Sequence, residues 1–531
     1  MPPRTMSSSP PNRRVWLAAA LVAVAVMAGA AAVIAAVRSS AGSDAATVSS
    51  AGAAAGAAPR GASVLTVERA AVGRPIPPSF VGLSVEFPGL EQYAGPNPNA
   101  VNPIFEQLIR NLAPGQSPLL RVGGDSSDWT WWPVRHMAKP PGIRFTIDQR
   151  WLRTTRAIVH ALRAHVILGV NLEADSPRLA AVEARELVGG IGRGSIDALE
   201  LGNEPELYGH FGWYTPKGGR RVLGRPRGYD IASFTQDFSR FGAGLPRLPL
   251  AGPATGAPAW TSHLGQFLAA EPRVGVATLH LYPLQHCGVA HSSPVYPTIP
   301  HLLLPSSTLG LAERVEPYVA TAHAHGVALR IAEMNSVSCG ATPKVSQTFA
   351  SALWAVNALF SVARAGVDGV NVHTYPGVKH ELFRFSQATG RWTGFVDPEY
   401  YGLLMFAQAA PAGSRLLALG GSAGAGISPW ATRATDGTIR VVLINDGTRA
   451  RAVTVRVPAS AGAARIERLQ APSIHANIGV TLGGQTFGTV TGTGLLAGAA
   501  SADSVTPQRG QYRLSLPATS AAMLTLAPTP N

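Results

Sequence analysis

Eight apolar stretches at regular intervals, alternating with helical patterns, set the tightest constraint on how this chain can fold. The first runs through Phe80-Val81-Gly82-Leu83-Ser84-Val85-Glu86-Phe87, and the second from Leu119 through Gly123-Gly124-Asp125. The third covers Val166 to Leu172 and the fourth Ile196-Asp197-Ala198-Leu199-Glu200-Leu201-Gly202-Asn203-Glu204. The fifth to eighth are Leu248–Pro253, Val276–Pro283, Val327–Asn335 and Gly369–Pro376. Between them, Asn102–Leu112, Trp151–Arg163, Ser176–Val188, Phe234–Arg240, Leu264–Ala270, Leu311–His325 and Phe349–Ala365 carry apolar residues at helical spacing. Alternating strands and helices require parallel pairing, and eight such units predict a closed (β/α)8 TIM barrel. Strand C-termini then face the active site of such a barrel, so Glu86, Asp125, Asn171 and Glu204 read as mouth residues.

Beyond Pro411 the pattern changes to short alternating strands, with Asp436-Gly437 and Asp446-Gly447 as hairpin turns. No helical period intervenes, which predicts an antiparallel β-sandwich over 411–531. The barrel is expected over 76–410, and 63–75 is a strand expected to cross over and join the sandwich. At the front, Arg4, Arg13 and Arg14 precede an uncharged apolar run from Val15 to Val37, long enough to span a bilayer. Residues 1–40 are therefore a signal anchor or a signal peptide, and 41–62 an Ala/Gly/Ser-rich linker. The upstream arginines orient the N-terminus inside and place the remaining chain outside, membrane-anchored or secreted. Cys287 and Cys339 are the only cysteines, and in an exported chain they are most simply a disulfide.

The formal charge is +14, carried almost wholly by arginine, whose planar fork suits carboxylate or sulfate groups. An acidic glycan or an anionic envelope is a fitting partner. A codon bias toward arginine explains the charge equally well. Nucleic acid is disfavoured, because the arginines look scattered and no basic-aromatic motif stands out. No glycine-rich phosphate loop or metal-ligand spacing is present, so neither cofactor nor metal is expected.

Glu204 and Glu333 follow the fourth and seventh strands, on opposite sides of a closed barrel, where their carboxyl groups can converge. Glycoside hydrolysis needs such a pair, one protonating the leaving oxygen and one attacking the anomeric carbon. Trp129, Trp131, Trp132, Tyr208, Trp213 and Tyr214 are candidates for sugar-stacking walls, with loop packing as the alternative.

Three motifs in order sharpen this: Arg121-Val122-Gly123-Gly124-Asp125-Ser126, then Leu199-Glu200-Leu201-Gly202-Asn203-Glu204-Pro205, then Glu333-Met334-Asn335-Ser336. Together they resemble the retaining clan A glycosidases of glycoside hydrolase family 79, which holds heparanase and bacterial β-glucuronidases. Gly479-Val480-Thr481-Leu482-Gly483-Gly484-Gln485 is similar to a segment of that family's sandwich domain. The resemblance implies Glu204 as acid/base and Glu333 as nucleophile, Asn203 on the sugar 2-hydroxyl, and Tyr282 orienting the nucleophile. It further implies sugar-hydroxyl contacts for Glu86 and Asp125, and places Tyr375 where the family recognises a uronate. The expected activity is an exo-β-glucuronidase. The loop Ser336–Ala341 has no tyrosine, which leaves a neutral sugar open, and a non-catalytic carbohydrate-binding barrel is the third reading.

Overall fold

The computed structural model describes residues 64–457, 462–501 and 503–528. The expected N-terminal anchor and linker lie outside the described residues. Among the described residues no helix is long and apolar enough to cross a membrane.

Eight parallel strands close a barrel: Val81–Val85, Leu119–Val122, His165–Val170, Ile196–Leu201, Leu250–Thr255, Val274–Leu281, Ala328–Met334 and Gly369–His373. Each strand pairs with its sequence neighbour, and the eighth returns to the first through Val370 opposite Val81 and His373 opposite Ser84. The barrel is tightly drawn where glycine permits. A Cβ on Gly82 would meet the Leu119 carbonyl oxygen at 2.2 Å. Inside, the small apolar layer of Ile167, Ala198 and Ala251 is topped by buried polar side chains, Arg121 and Glu200 among them.

Helices begin where the sequence supplies caps. Asn102 accepts from the amides of Ile104 and Phe105 ahead of Pro103–Leu112, Asp148 caps Gln149–Leu162 through Trp151, and Ser176 caps Pro177–Ile191. The apolar face of Pro103–Leu112 is buried through Ile104, Phe105, Leu108, Ile109 and Leu112. The first strand stops at Val85, two residues before its apolar run ends, because Glu86 begins a helix Phe87–Ala94 with proline in its first turn. Two further elements carry no clear alternation in the sequence: the hairpin Phe383–Ala388 with Arg391–Val396, and the helix Pro398–Ala409. That helix is buried nearly all round, so it lacks the polar face that would mark its period.

The C-terminal domain is one ten-stranded sheet rather than two separate ones. Its apolar core joins Tyr512, Leu514 and Leu516 from one end of the strand order to Ile466 and Leu524 near the other, so the sheet folds over on itself as a sandwich does. The strand Val64–Val72 lies within it, antiparallel to Arg415–Gly421 and parallel to Arg451–Arg456. This parallel pair is the one departure from antiparallel pairing among the described strands of that sheet. Trp430 joins the domain to the barrel. It stacks on Phe360 at 5.4 Å, and its indole N–H donates to Asn357 Oδ1 at 2.9 Å.

Candidate active site

Gly202 ends the fourth strand with φ +73°, and a Cβ there would meet the Tyr208 hydroxyl at 2.3 Å. That approach lets one buried network fix the turn. The Tyr208 hydroxyl donates to Asp128 Oδ2 at 2.6 Å, and the Asn203 amide lies within reach of both, at 3.1 and 3.0 Å. Glu204 then takes φ +46°, a conformation costing a non-glycine residue energy, and its amide donates to the Ala254 carbonyl. The turn points its carboxyl over the mouth toward Glu333 at the C-terminal end of the seventh strand.

The two carboxyl groups converge. One oxygen of each, with a ring nitrogen of His280, lies within a 4.8 Å span. Retaining glycosidases place such a pair about 5–5.5 Å apart and inverting ones about 6.5–9.5 Å, and this spacing falls on the short side of that divide. Glu204 is the more open of the two, with its side chain 27% exposed against 11% for Glu333.

Beneath them sits Arg121, wholly buried on the second strand. Its Nε donates to Glu200 Oε2 at 2.6 Å, Nη1 to Glu333 Oε2 at 2.9 Å and Ser84 Oγ at 3.1 Å, and Nη2 to Asn203 Oδ1 at 2.8 Å. The Tyr282 hydroxyl donates to the other Glu333 oxygen at 2.8 Å. Burial would raise the Glu333 carboxyl, but His373, His280, Arg121 and the Tyr282 hydrogen bond outweigh it and hold the group well below the usual carboxylate range. Its neighbours thus favour the ionised form of Glu333.

His280 links the pair, with Nδ1 3.0 Å from Glu204 Oε1 and Nε2 3.4 Å from Arg121 Nη2. Nδ1 carries a proton offered to the Glu204 carboxyl. Burial would lower His280, but Glu333 and the hydrogen bond to Glu204 raise it overall. His373, beside Ser84 and Glu86, is lowered by its burial and by the nearby Arg121 and His280 charges.

Glu86 and Asp125 lie on the same floor. Burial, then the charges of Asp125 and Glu333, push Glu86 up to about 8, while the Ser126 amide donates to its Oε2 at 2.8 Å. Burial and the Glu204 and Glu333 charges push Asp125 up to about 7. Its side chain is open to the cleft, so the repulsion is the firmer cause. Asp125 Oδ1 accepts from Asn203 Nδ2 at 3.1 Å, which with Arg121 holds the Asn203 amide in one orientation. Tyr375 is half-buried with its ring 5.3 Å from that of His373.

Of the site residues expected from the sequence, Glu86, Asp125, Asn203, Glu204, Tyr282 and Glu333 are joined by contacts at the mouth, and Tyr375 borders them. Cys287 and Cys339 are disulfide-bonded between the loops after the sixth and seventh strands. Three of the proposed stacking aromatics belong elsewhere. Trp131, Tyr208 and Trp213 are buried, with the Trp213 indole donating to the Asp128 carbonyl, and they hold loops rather than sugars. Asn171 is likewise structural, donating to the Thr130 carbonyl and accepting from the Ala174 amide. Arg121, Glu200, His280 and Asp128 were not singled out as site residues. Arg121 and Glu200 were legible as charges at inward-facing strand positions, where a lone charge needs a partner.

Glu204, His280 and Glu333 also have the spacing of metal ligands. Arg121, 2.9 Å from Glu333, already supplies a positive charge where a cation would sit.

Residues 429–523 match the glycosyl hydrolase family 79 C-terminal beta domain. Over these residues the C-terminal domain is similar to that family's β domain. In this chain that domain docks on the barrel through Trp430. Among curated proteins no sequence matches the chain. Solved structures share its fold. A 4-O-α-L-rhamnosyl-β-D-glucuronidase from Fusarium oxysporum 12S is 18% identical with a TM-score of 0.64, covering 87% of this chain and 100% of its own. A family 51 arabinofuranosidase from Xanthomonas axonopodis pv. citri is 17% identical, with a TM-score of 0.62 and coverage of 88% and 99%. A family 51 α-L-arabinofuranosidase from Bifidobacterium longum is 15% identical, with a TM-score of 0.59 and coverage of 87% and 99%. A barrel with an appended β domain is the fold that this chain shares with these structures.

Proposed function

We propose that the protein is a retaining exo-β-glucuronidase acting on β-glucuronides or uronate-containing glycans outside the membrane, to which residues 15–37 attach it if that segment is retained. The observation that carries the reading is the convergence of Glu204 and Glu333 within 4.8 Å, one open to the cleft and the other held ionised. Glu333 attacks the anomeric carbon while Glu204 protonates the departing oxygen, giving a glycosyl-enzyme ester. Glu204 then takes a proton from water, which attacks the same carbon and releases Glu333. Arg121 and Tyr282 keep the nucleophile ionised and fixed, and His280 holds Glu204 in place across the gap. A β-glycosidase for a neutral sugar is the second reading, favoured by the absence of tyrosine in the loop Ser336–Ala341 after the nucleophile.

A panel of aryl glycosides tests both. Cleavage of the aryl β-glucuronide ahead of its gluco, xylo and arabino counterparts is expected, with the β-anomer of the sugar released first. Preference for a neutral glycoside would transfer the reading to the second sugar class. Retained hydrolysis in both Glu204→Ala and Glu333→Ala would remove it altogether.

A further inference from the structure

The turn that carries Glu204 is clasped to the loop after the fifth strand. Glu204 and Ala254 both take left-handed backbone, at φ +46° and +54°, and the Glu204 amide donates to the Ala254 carbonyl at 2.9 Å. Non-glycine residues persist in that region only where their surroundings over-determine them. The register between the fifth and sixth strands also shifts between Pro253 and Thr255, so Ala254 is bulged out of the ladder. A second group must hold two such residues face to face, and Glu206 is that group. Its Oε1 accepts from the amides of Gly256 at 3.0 Å and Ala257 at 3.2 Å. Glu206 is buried, and burial followed by the Glu204 charge pushes its carboxyl up to about 7. Below that pH it is a neutral acid, which binds two amides through a carbonyl oxygen as glutamine would.

The same loop rests on His280. A Cβ on Gly256 would meet the His280 carbonyl oxygen at 3.4 Å and the His280 Cβ at 3.5 Å, so the two residues lie in contact. His280 Nδ1 in turn stands 3.0 Å from Glu204 Oε1. These contacts close a ring. It runs from Glu204 along the short helix Pro205–Leu207 to Glu206, across to Gly256, on to His280 and back to the Glu204 carboxyl. Beyond Ala257 the loop is tied to the outer layer of the barrel. Trp260, in the helical turn Pro258–Thr261, is buried with its ring 5.6 Å from that of Phe234 and 6.1 Å from that of Tyr229. The nucleophile is held from elsewhere, by Arg121 Nη1 at 2.9 Å and the Tyr282 hydroxyl at 2.8 Å.

We propose that Glu206 is a positioning residue for the acid/base: its carboxyl fastens the loop after the fifth strand, and that loop sets the Glu204 backbone and the His280 ring from which Glu204 is aimed at the departing oxygen. This rests on the reading of Glu204 as the acid/base and adds the group that aims it. Proton transfer requires hydrogen-bond reach between the acid and the departing oxygen, so a small displacement of Glu204 is costly. Attack by Glu333 does not pass through the ring. Loss of Glu206 therefore weakens protonation of the leaving group and spares the nucleophile.

The test compares kcat/KM on two aryl glycosides of whichever sugar the parent cleaves, one with phenol and one with 2,4-dinitrophenol as leaving group. Phenol needs a proton to depart, whereas dinitrophenolate leaves with little acid assistance. Glu206→Ala is expected to lose about 10- to 100-fold on the phenyl glycoside and under about threefold on the dinitrophenyl one. Glu206→Gln, which keeps the accepting oxygen, is expected to recover most of the phenyl activity. Ala257→Pro repeats the test should Glu206→Ala unfold. It removes one of the two donors at a residue whose φ of −81° already suits proline, and the same selectivity at smaller size is expected. Glu204→Ala is run beside them. If that variant shows no preference for the activated leaving group, the acid/base reading itself fails. If it does, the proposal alone is overturned by equal losses on both glycosides in Glu206→Ala and Ala257→Pro, by unchanged activity in both, or by a Glu206→Gln as impaired as the alanine variant.

Discussion

The floor of the barrel mouth and its rim treat charge in opposite ways. On the floor Arg121 is enclosed by Glu200 and Glu333, and each hydrogen-bonding edge of the guanidinium is used. On the rim, in the loops after the second and fourth strands, exposed Arg135, Lys139, Arg144, Lys217, Arg220 and Arg221 have no acidic partner among the described residues. Desolvation explains the difference. A buried charge without a partner costs several kcal/mol, so the floor tolerates ions only in closed networks. An exposed cation keeps its water at little cost and stays available. The floor is organised by its own closed contacts, and the rim keeps its cations in solvent.

The sharpest way to break this contrast is at the floor. Glu333→Gln is expected to lower kcat by at least about 10⁴-fold on any aryl glycoside the parent cleaves, because it removes the attacking group itself. A loss under tenfold would place the nucleophile elsewhere. Arg121→Met should then cost about 3–5 kcal/mol of stability in denaturant unfolding, since Glu200 and Glu333 are left buried without their cation. A near-neutral result would mean that water reaches the floor and that the two regions differ less than their burial implies. Tyr282→Phe sharpens the same point more gently. Loss of one hydrogen bond to a carboxylate should lower kcat about 10- to 100-fold and shift the acid limb of the pH profile upward, toward the ordinary carboxylate range. An unmoved acid limb would leave Arg121 and the histidines as the whole cause of the low Glu333 value.

The smallest expected effect is on stability against pH. Burial raises Glu86 to about 8 and Glu206 to about 7 from 4.5, and Asp397 to about 7 from 3.8. The folded chain therefore binds these protons more tightly than the unfolded chain, and its stability falls as pH rises from about 4 to about 8. Glu333 acts in the opposite sense, but only as pH falls below its unfolded value of 4.5. Tm should be several degrees higher at pH 5 than at pH 8. Equal values would show that these buried carboxyls ionise without penalty, as exposed groups do.

Much of this was legible in the chain. Strand ends carrying Glu86, Asp125, Glu204 and Glu333 stand out because a barrel strand that stops on a carboxylate has no packing reason to do so. The C-terminal strands were legible from Asp436-Gly437 and Asp446-Gly447, and Gly437 indeed takes φ +84° with Thr438 donating to Asp436. Two things were not. Tyr208 and Trp213 look like sugar platforms because any tryptophan or tyrosine near a catalytic motif does. Only packing tells whether a ring faces the cleft or Asp128. The rim charge was hidden for a different reason, since its arginines are scattered along the sequence and two loops eighty residues apart must meet before they share one rim.

By itself, then, the sequence determined the eightfold alternation, the β domain and the two carboxylates, because periodicity and strand-end chemistry are local properties. Tertiary structure alone decided which charges are paired. Glu333 is held ionised by Arg121 from the second strand, Tyr282 and His280 from the sixth and His373 from the eighth. The electrostatics of a carboxylate depend on neighbours within a few ångströms, and closure of the barrel is what brings those neighbours together.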